Sequence, residues 1–323
     1  MENDWESDYD SDSFSTSSAE SVDDEEVNQR VYPYWPRYRA LIFSRGLRLD
    51  TVRDVKEIYK ERQKPVEDIP AGIDMDMGEE ALCPDPGLPE NLFRGTRVND
   101  GKKIIVKAVH IYSHEYDIIR ALSRGPARGD PRNHTIPVLD LIDFPPDNIG
   151  LIVMEEWSPQ LITDDGPCCL SLFFAALRQC IEHVVFMHSL RMTHLDISLQ
   201  NIVTDYNGRY AYIDFELARR FDDDPNPRIT WKRGAEPSPE CERGESSDPY
   251  KVDVWALGIL IVKACELTGY GLVPQLMHVV SPMLNHRPEE RPSSRAVLRA
   301  FDRVVPLIDE EQSKTVCRGD RSH

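Results

Sequence analysis

The sequence predicts an α+β fold in which a small β-rich lobe precedes a larger helical lobe. Short apolar runs separated by turn residues dominate residues 85–156. Apolar residues at helical spacing dominate from Leu170 to Ile308. With 323 residues, of which 40% are hydrophobic, the chain is long enough to bury the core of such a two-lobed domain.

The first 30 residues are acidic and rich in serine. Residues 1–26 contain eleven acidic side chains and no Lys or Arg, whereas the whole chain has a net charge of −18. This composition cannot bury enough apolar surface to offset the entropy lost on ordering, so residues 1–30 are expected to form a disordered tail. Its serines are either phosphorylation sites or part of a solubilising tail, and the second interpretation is favoured. A second flexible tail is expected over residues 309–323.

Charge and cysteine usage exclude several classes of protein. The rest of the chain is only mildly acidic and has no basic cluster of the kind that contacts nucleic acid. Seven cysteines without a CxxC pair favour a reducing, intracellular compartment, cytoplasmic or nuclear or both. The first residues lack a signal-peptide pattern, and the longest apolar run, 254–262, is far shorter than the roughly 20 residues of a bilayer span. We expect neither a nucleic-acid partner nor membrane association; the oligomeric state stays open.

Residues 31–84 are interpreted as an N-terminal extension with one helix and a linker. Apolar spacing predicts that the helix begins at Asp50 and continues through Val52, Val55, Ile58 and Tyr59. Residues 74–89 are rich in acidic residues, Pro and Gly, a composition typical of a linker.

Residues 85–156 are predicted to form the β-rich lobe, and residues 157–308 the helical lobe. The turn Asn99-Asp100-Gly101 predicts a hairpin, because Asp-Gly tolerates positive φ. The expected elements of the first lobe are strands at 91–98 and 102–109, a helix at 113–122, and strands at 136–142 and 150–155.

Three polar side chains in the second lobe indicate the chemistry. Asp196 and Asn201 lie in HLDISLQN, and Asp214 follows a short predicted strand pair in YIDF. Phosphoryl transfer from Mg-ATP spreads negative charge, so a catalyst must hold a divalent metal ion, Mg²⁺ or Mn²⁺, and orient the attacking hydroxyl. This spacing resembles the signature of protein kinases, which implies that Asp196 accepts the hydroxyl proton and that Asn201 and Asp214 bind the metal.

These motifs, with those around them, resemble the eukaryotic-type protein kinases over residues 85–308. The other matching motifs follow in family order: IIVKAV, SPE, DVWALG and HRPEERPS. The region DPRNHTIPVLDLIDFP resembles that of divergent fungal kinase-like proteins. The resemblance implies a bilobal protein kinase-like fold, ATP and magnesium as cofactors, and a protein as substrate or regulated partner.

The resemblance also implies roles for individual residues. Lys107 would contact the α- and β-phosphates and pair with Glu115 of the following helix, since a buried lysine needs a carboxylate partner. The residues expected around ATP are Lys107, Ile105, Met154, Glu155, Trp157 and Val203. Structural roles are implied for His194, Phe215, Glu240, Asp253 and Arg291. Among these, Arg291 would pair with Glu240, and Asp253 would hold the backbone of the catalytic loop.

Several positions depart from the family pattern. No GxGxxG occurs between residues 81 and 94, where a loop covering the phosphates is expected, and Ile105 replaces a small residue above adenine. Leu195 replaces an arginine that contacts a phosphorylated segment in many members. Ser198 replaces a phosphate-contacting lysine, and Glu216 replaces the glycine that follows the metal-binding aspartate and its aromatic neighbour.

The leading interpretation is an ATP-dependent protein kinase that transfers the γ-phosphoryl group to a Ser or Thr hydroxyl. Its support is the complete set Lys107, Glu115, Asp196, Asn201 and Asp214. The alternative is a pseudokinase, a nucleotide-binding or scaffold module without turnover, which the departures favour. A small-molecule kinase is the third possibility: Ser198 and Glu216 support it, whereas the SPE and DVWALG motifs oppose it.

Overall fold

The structure is a computed structural model that describes residues 24–61, 78–159, 170–230, 233–268 and 274–308. Among these residues the helices are α1 (Asp24–Val27), α2 (Trp35–Ser44), α3 (Val52–Glu61), α4 (His114–Leu122), α5 (Gly125–Arg128), α6 (Leu170–Ser189), α7 (Pro239–Glu242), α8 (Pro249–Thr268), α9 (Pro274–Met283) and α10 (Ser294–Val304). The strands are β1 (Leu47–Leu49), β2 (Leu92–Arg97), β3 (Lys103–His110), β4 (Val138–Phe144), β5 (Ile149–Glu155), β6 (Met192–Thr193), β7 (Ile202–Thr204), β8 (Tyr210–Tyr212), β9 (Arg219–Arg220), β10 (Ile229–Thr230) and β11 (Ser246–Ser247). The expected α+β fold in two lobes is confirmed.

The first lobe is built on an antiparallel sheet with the strand order β1-β2-β3-β5-β4. The turn between β2 and β3 contains Gly101 at φ +71°, as the hairpin prediction requires. Lys107 lies in the middle of β3, opposite Leu92 on one side and Ile152 on the other. The four strands predicted for this lobe all form, with ends shifted by one or two residues.

The N-terminal region contributes more to this lobe than predicted. Helix α2 covers the outer face of the sheet with Trp35, Tyr38 and Ile42, and β1 adds a strand to its edge. The prediction of one helix in residues 31–84 is therefore wrong, because α2 precedes the predicted helix, which forms as α3. Two features of the sequence carry a signal for α2: the proline in the first turn of α2 and the i, i+3, i+7 spacing of its buried residues.

The boundary of the acidic tail also needs correction. Residues 24–30 are described, α1 begins at Asp24, and Val27 is buried. Burial of that one apolar side chain, together with contacts described below, holds the end of the predicted tail against the first lobe. Residues 1–23 and the predicted C-terminal tail lie outside the described residues, and the division of the chain into domains stays a prediction.

Helix α4 connects the sheet to the second lobe. Ser113 precedes it and accepts a hydrogen bond from Tyr116 N (3.2 Å), which satisfies one free backbone donor of the first turn. The Tyr116 ring lies against Gly150, where a Cβ atom would come within 2.7 Å of the ring. The predicted helix is confirmed, and its first turn contains Glu115.

The second lobe is helical, with α6 and α8 at its centre. Phe174 of α6 meets Phe301 of α10 edge to face at 6.2 Å, and the buried residues of α6, α8, α9 and α10 form one apolar cluster with α4 and β5. By length and composition α6 could cross a membrane, but 67% of that stretch is buried inside the domain. Its apolar surface is therefore explained by packing.

Removing the side chain of Ile42 tests whether α2 belongs to the first lobe. Ile42 is fully buried between α2 and the sheet, so Ile42→Ala is expected to lower the free energy of unfolding by about 2–5 kcal/mol in urea denaturation. Phe43→Ala is the matched control, because Phe43 is 59% exposed on the same helix. Equal stability of the two variants would contradict the packing of α2 on the sheet.

Candidate active site

A cleft between the two lobes contains about 1020 Å³ of empty space, including its open mouth. It is lined by side chains of β2, β3 and β5 from above, and of β7 and the segment after β8 from below. All residues expected around ATP lie in its wall: Lys107, Ile105, Met154, Glu155, Trp157 and Val203. The cleft also contains Glu115, Asp214 and Phe215.

Lys107 lies deep in this cleft between two carboxylates from different lobes. Its Nζ donates to Glu115 Oε1 at 2.7 Å and to Asp214 Oδ1 at 2.8 Å. Burial alone would lower the pKa of Lys107, but the charges of Glu115 and Asp214 outweigh burial and raise this pKa above its usual value. Lys107 is therefore a permanent cation whose position is fixed from both lobes.

Asp214 reaches Lys107 through an unusual backbone conformation. Its φ is +61°, in the left-handed region that Asp adopts more readily than bulkier residues. Burial would raise the pKa of Asp214, but the Lys107 charge lowers it below its usual value, so the carboxylate is ionised. The next residue, Phe215, is buried against His194 at 4.9 Å, and its N–H donates to Glu115 Oε1 at 3.3 Å.

Asp196 and Asn201 form a second group of predicted site residues, which is not among the residues that line the cleft. Asn201 Nδ2 donates to the backbone oxygen of Asp196 (2.9 Å) and to its Oδ2 (2.8 Å). Asn201 O accepts from Ile213 N at 3.0 Å, which joins this loop to the residue before Asp214. The other carboxylate oxygen of Asp196 accepts from Ala235 N at 2.7 Å, a contact that the sequence did not indicate.

Asp253, from the buried helix α8, fixes the backbone of the loop that carries Asp196. Its two carboxylate oxygens accept from His194 N (2.9 Å) and Leu195 N (2.8 Å), and His188 Nε2 lies 3.0 Å away. Leu195 has a φ of +61°, which a branched residue seldom adopts without such support. Its buried side chain packs with Cys241 and Val252.

Glu240 and Arg291 form a buried ion pair at the other end of the lobe. Arg291 donates to both oxygens of Glu240, at 2.7 and 2.6 Å, and both side chains are almost completely buried. Burial would raise the pKa of Glu240, but the hydrogen bonds from Arg291 lower it below its usual value. The guanidinium also lies 4.9 Å from the Trp255 ring.

The segment from Met154 to Trp157 connects the lobes along the cleft. Two of its amides are already bonded within the protein: Glu155 N donates to Pro137 O and Glu156 N to Lys103 O, both at 3.1 Å. Trp157 Nε1 donates to Glu155 Oε2 at 3.0 Å, which orients its ring. The sequence did not indicate a further contact, in which Arg94 Nε donates to Glu156 Oε1 at 2.7 Å.

The positions that depart from the protein kinase motifs also differ in structure from what those motifs predict. The first two strands, β1 and β2, are joined through residues 50–91 in place of a short glycine-rich hairpin, and Leu88 and Pro89 of this connection line the cleft. Ser198 is buried, and its hydroxyl has no hydrogen-bond partner among the described residues. Arg30, in the predicted tail, also lines the cleft and meets Glu216 at 3.4 Å.

Comparison with known proteins agrees with this geometry. A family model described as the protein kinase domain matches residues 160–270. Serine/threonine-protein kinase pim-2 of Danio rerio is 25% identical over 269 residues, which cover 69% of this chain and 85% of that protein. These similarities support a place for the chain in the protein kinase superfamily. The match and the Lys107–Glu115 bridge support a kinase-like function.

Two shorter similarities fall within the same superfamily. Serine/threonine-protein kinase chk1 of Schizosaccharomyces pombe is 36% identical over 84 residues, 26% of this chain and 17% of that protein. Serine/threonine-protein kinase oca2 of the same organism is 26% identical over 175 residues, 51% of this chain and 27% of that protein. The chain spans less than a third of the length of these two relatives.

Breaking the buried pair at Arg291 tests the scaffold of this kinase-like lobe. Arg291→Ala leaves Glu240 as an uncompensated buried charge, so the free energy of unfolding is expected to fall by about 3–5 kcal/mol. Urea denaturation followed by tryptophan fluorescence measures the loss. Arg287→Ala, which removes an exposed partner of Glu290, is the control and is expected to leave the midpoint unchanged. A wild-type midpoint for Arg291→Ala would contradict the assigned pairing.

Proposed function

We propose that this protein is an ATP-dependent protein kinase that transfers the γ-phosphoryl group of Mg-ATP to a Ser or Thr hydroxyl of a protein. The observation that supports it most is the buried cluster of Lys107, Glu115 and Asp214 in the cleft between the lobes. A cation held between carboxylates and facing an open cavity provides a fixed binding point for phosphate oxygens.

The cleft suits a purine nucleotide in both shape and chemistry. Ile105, Met154 and Val203 give one part of its wall an apolar surface, which fits the faces of a base. Lys107 and Asp214 give the deeper part opposite charges, which fit phosphate and metal respectively. Ile105 is larger than the residue usual at this position, so it narrows the space above the base.

The metal-binding residues carry the oxygen ligands that Mg²⁺ prefers. Asp214 is ionised, and Asn201 donates to Asp196 through Nδ2, so these bonds do not use its amide oxygen, which would serve as the metal ligand. When bound, the metal ion neutralises phosphate charge. Asp214 and Asn201 would hold this ion, and Asp214 also accepts from Lys107 at 2.8 Å.

Asp196 is oriented for proton transfer in this proposal. Asn201 Nδ2 and Ala235 N each donate to a different oxygen of its carboxylate, so the group cannot rotate freely. A carboxylate oxygen accepts more than one hydrogen bond, so Asp196 can still accept the proton of a substrate hydroxyl. The peptide acceptor would approach beside Ala235, in the segment that precedes α7.

A pseudokinase is the second candidate, and one contact favours it. The N–H of Ala235 already occupies an oxygen of Asp196, and Ser198 provides no charge beside it. A small-molecule kinase is less favoured, because the Glu240–Arg291 pair and helix α8 follow the protein kinase pattern.

Nucleotide binding can be tested by thermal unfolding with ATP in the presence and absence of magnesium. A ligand present at 100 times its Kd stabilises the folded state by about 2.7 kcal/mol, so Mg-ATP is expected to raise the melting temperature. Asp214→Asn is expected to lose most of the magnesium-dependent rise in melting temperature. Asp302→Asn, a surface variant, is the control and is expected to retain that rise. Absence of any shift with Mg-ATP would contradict the proposal.

Turnover can be tested with Asp196→Asn in a radiolabelled phosphate transfer assay on casein or histone. Loss of the general base is expected to lower the rate by about 10²–10⁴-fold, while Mg-ATP binding stays close to that of the wild type. Small alcohols tested as acceptors in parallel separate protein from small-molecule substrates. Transfer by wild type and Asp196→Asn at equal rates would show that the label is moved by another group or a contaminant.

A further inference from the structure

The deep part of the cleft has little positive charge for a triphosphate. Among the described residues that line it, Lys107, Arg94 and Arg30 carry a permanent positive charge. Lys107 is shared by two carboxylates, and Arg94 is held between Asp85 and Glu156 at the segment joining the lobes.

The positions from which other protein kinases add compensating donors to the phosphates carry different residues here. The connection between β1 and β2 lines the cleft with Leu88 and Pro89, and a proline has no N–H to donate to phosphate. Ser198 is neutral and buried. A nucleoside triphosphate bound here would therefore need another cation.

Arg30 differs from the other two cations in how loosely it is held. Among the described residues, its Nη2 pairs with Glu216, 3.4 Å from Oε2, and the two side chains are 45% and 26% exposed. Ion pairs between exposed side chains contribute little, so this contact is readily exchanged. Glu216 follows Asp214 and Phe215, which places Arg30 at the metal-binding end of the cleft.

The backbone that carries Arg30 is held firmly on either side. Val27 is buried, and Asn28 Oδ1 accepts from His114 N at 2.8 Å, at the start of α4. On the other side, Trp35 Nε1 donates to Glu90 O at 2.9 Å, next to the residues that line the cleft. Arg30 therefore has a backbone held on both sides and a guanidinium held by an exposed contact with Glu216, an arrangement that lets the side chain turn toward a ligand.

We propose that Arg30 is a phosphate-binding residue that exchanges Glu216 for the β- or γ-phosphate of a nucleoside di- or triphosphate. A guanidinium binds phosphate through two parallel hydrogen bonds, which are stronger than its single contact with Glu216. The N-terminal segment thus supplies the charge that Ser198 and the connection between β1 and β2, which has no GxGxxG motif, do not. This inference rests on the proposed function, since it assumes that the cleft binds a nucleotide.

Calorimetric titration of the full chain with Mg-ATP, Mg-ADP and adenosine tests the inference. Arg30→Gln is expected to weaken ATP and ADP binding about tenfold or more while the adenosine affinity and the melting temperature of the free protein stay unchanged. Arg37→Gln is the matched control, because Arg37 is 53% exposed and pairs with Asp147 on the far side of the lobe. It is expected to bind all three ligands as the wild type does.

Three results would overturn the role of Arg30. Unchanged ATP affinity in Arg30→Gln excludes a phosphate contact. An equal loss of affinity for ATP and adenosine in Arg30→Gln, or a lower melting temperature of the free variant, shows that Arg30 only supports the fold. If the wild type binds no nucleotide, both this inference and the proposed function fail, whereas the first two results leave the proposed function standing.

Discussion

The Lys107 ammonium, shared between Glu115 and Asp214, is the interaction on which the site depends. A buried cation without partners would lose its proton or move to solvent, and here its two partners come from different lobes. Phe215 N also donates to Glu115, so the same carboxylate connects α4 to the segment that carries Asp214. This cluster therefore links the two lobes at the base of the cleft and sets the charge there.

Most of the fold could be predicted from local sequence. The hairpin around Gly101, helix α4 and the strands of the first lobe follow from turn chemistry and apolar periodicity over a few residues. Strand β1 was missed because it has three residues and pairs with β2 across residues 50–91. Helix α2 was not predicted, although the i, i+3, i+7 spacing of its buried residues places them on one face.

The candidate site could be predicted only in part, because some of its contacts join residues that are far apart in the sequence. Fixed intervals place Asp196, Asn201 and Asp214 in neighbouring loops, and the structure brings these loops together through the bond from Ile213 N to Asn201 O. The bond from Ala235 N to Asp196 depends on the path of a loop 39 residues away, which no local pattern encodes. Arg30 and Glu216 are separated by 186 residues and meet only after both lobes have formed.

The N-terminal segment contacts both the start of α4, next to Glu115, and the part of the cleft beside Glu216. Asn28 accepts a hydrogen bond from the first residue of α4, and the next residue of that helix is Glu115. Two positions after Asn28, Arg30 reaches the cleft beside Glu216. One short stretch, held by the buried Val27, therefore contains both Asn28, which contacts the start of α4, and Arg30, which adds charge to the cleft. A change at Val27 or Asn28 would therefore affect the start of α4 and the position of Arg30 together, because both depend on this stretch.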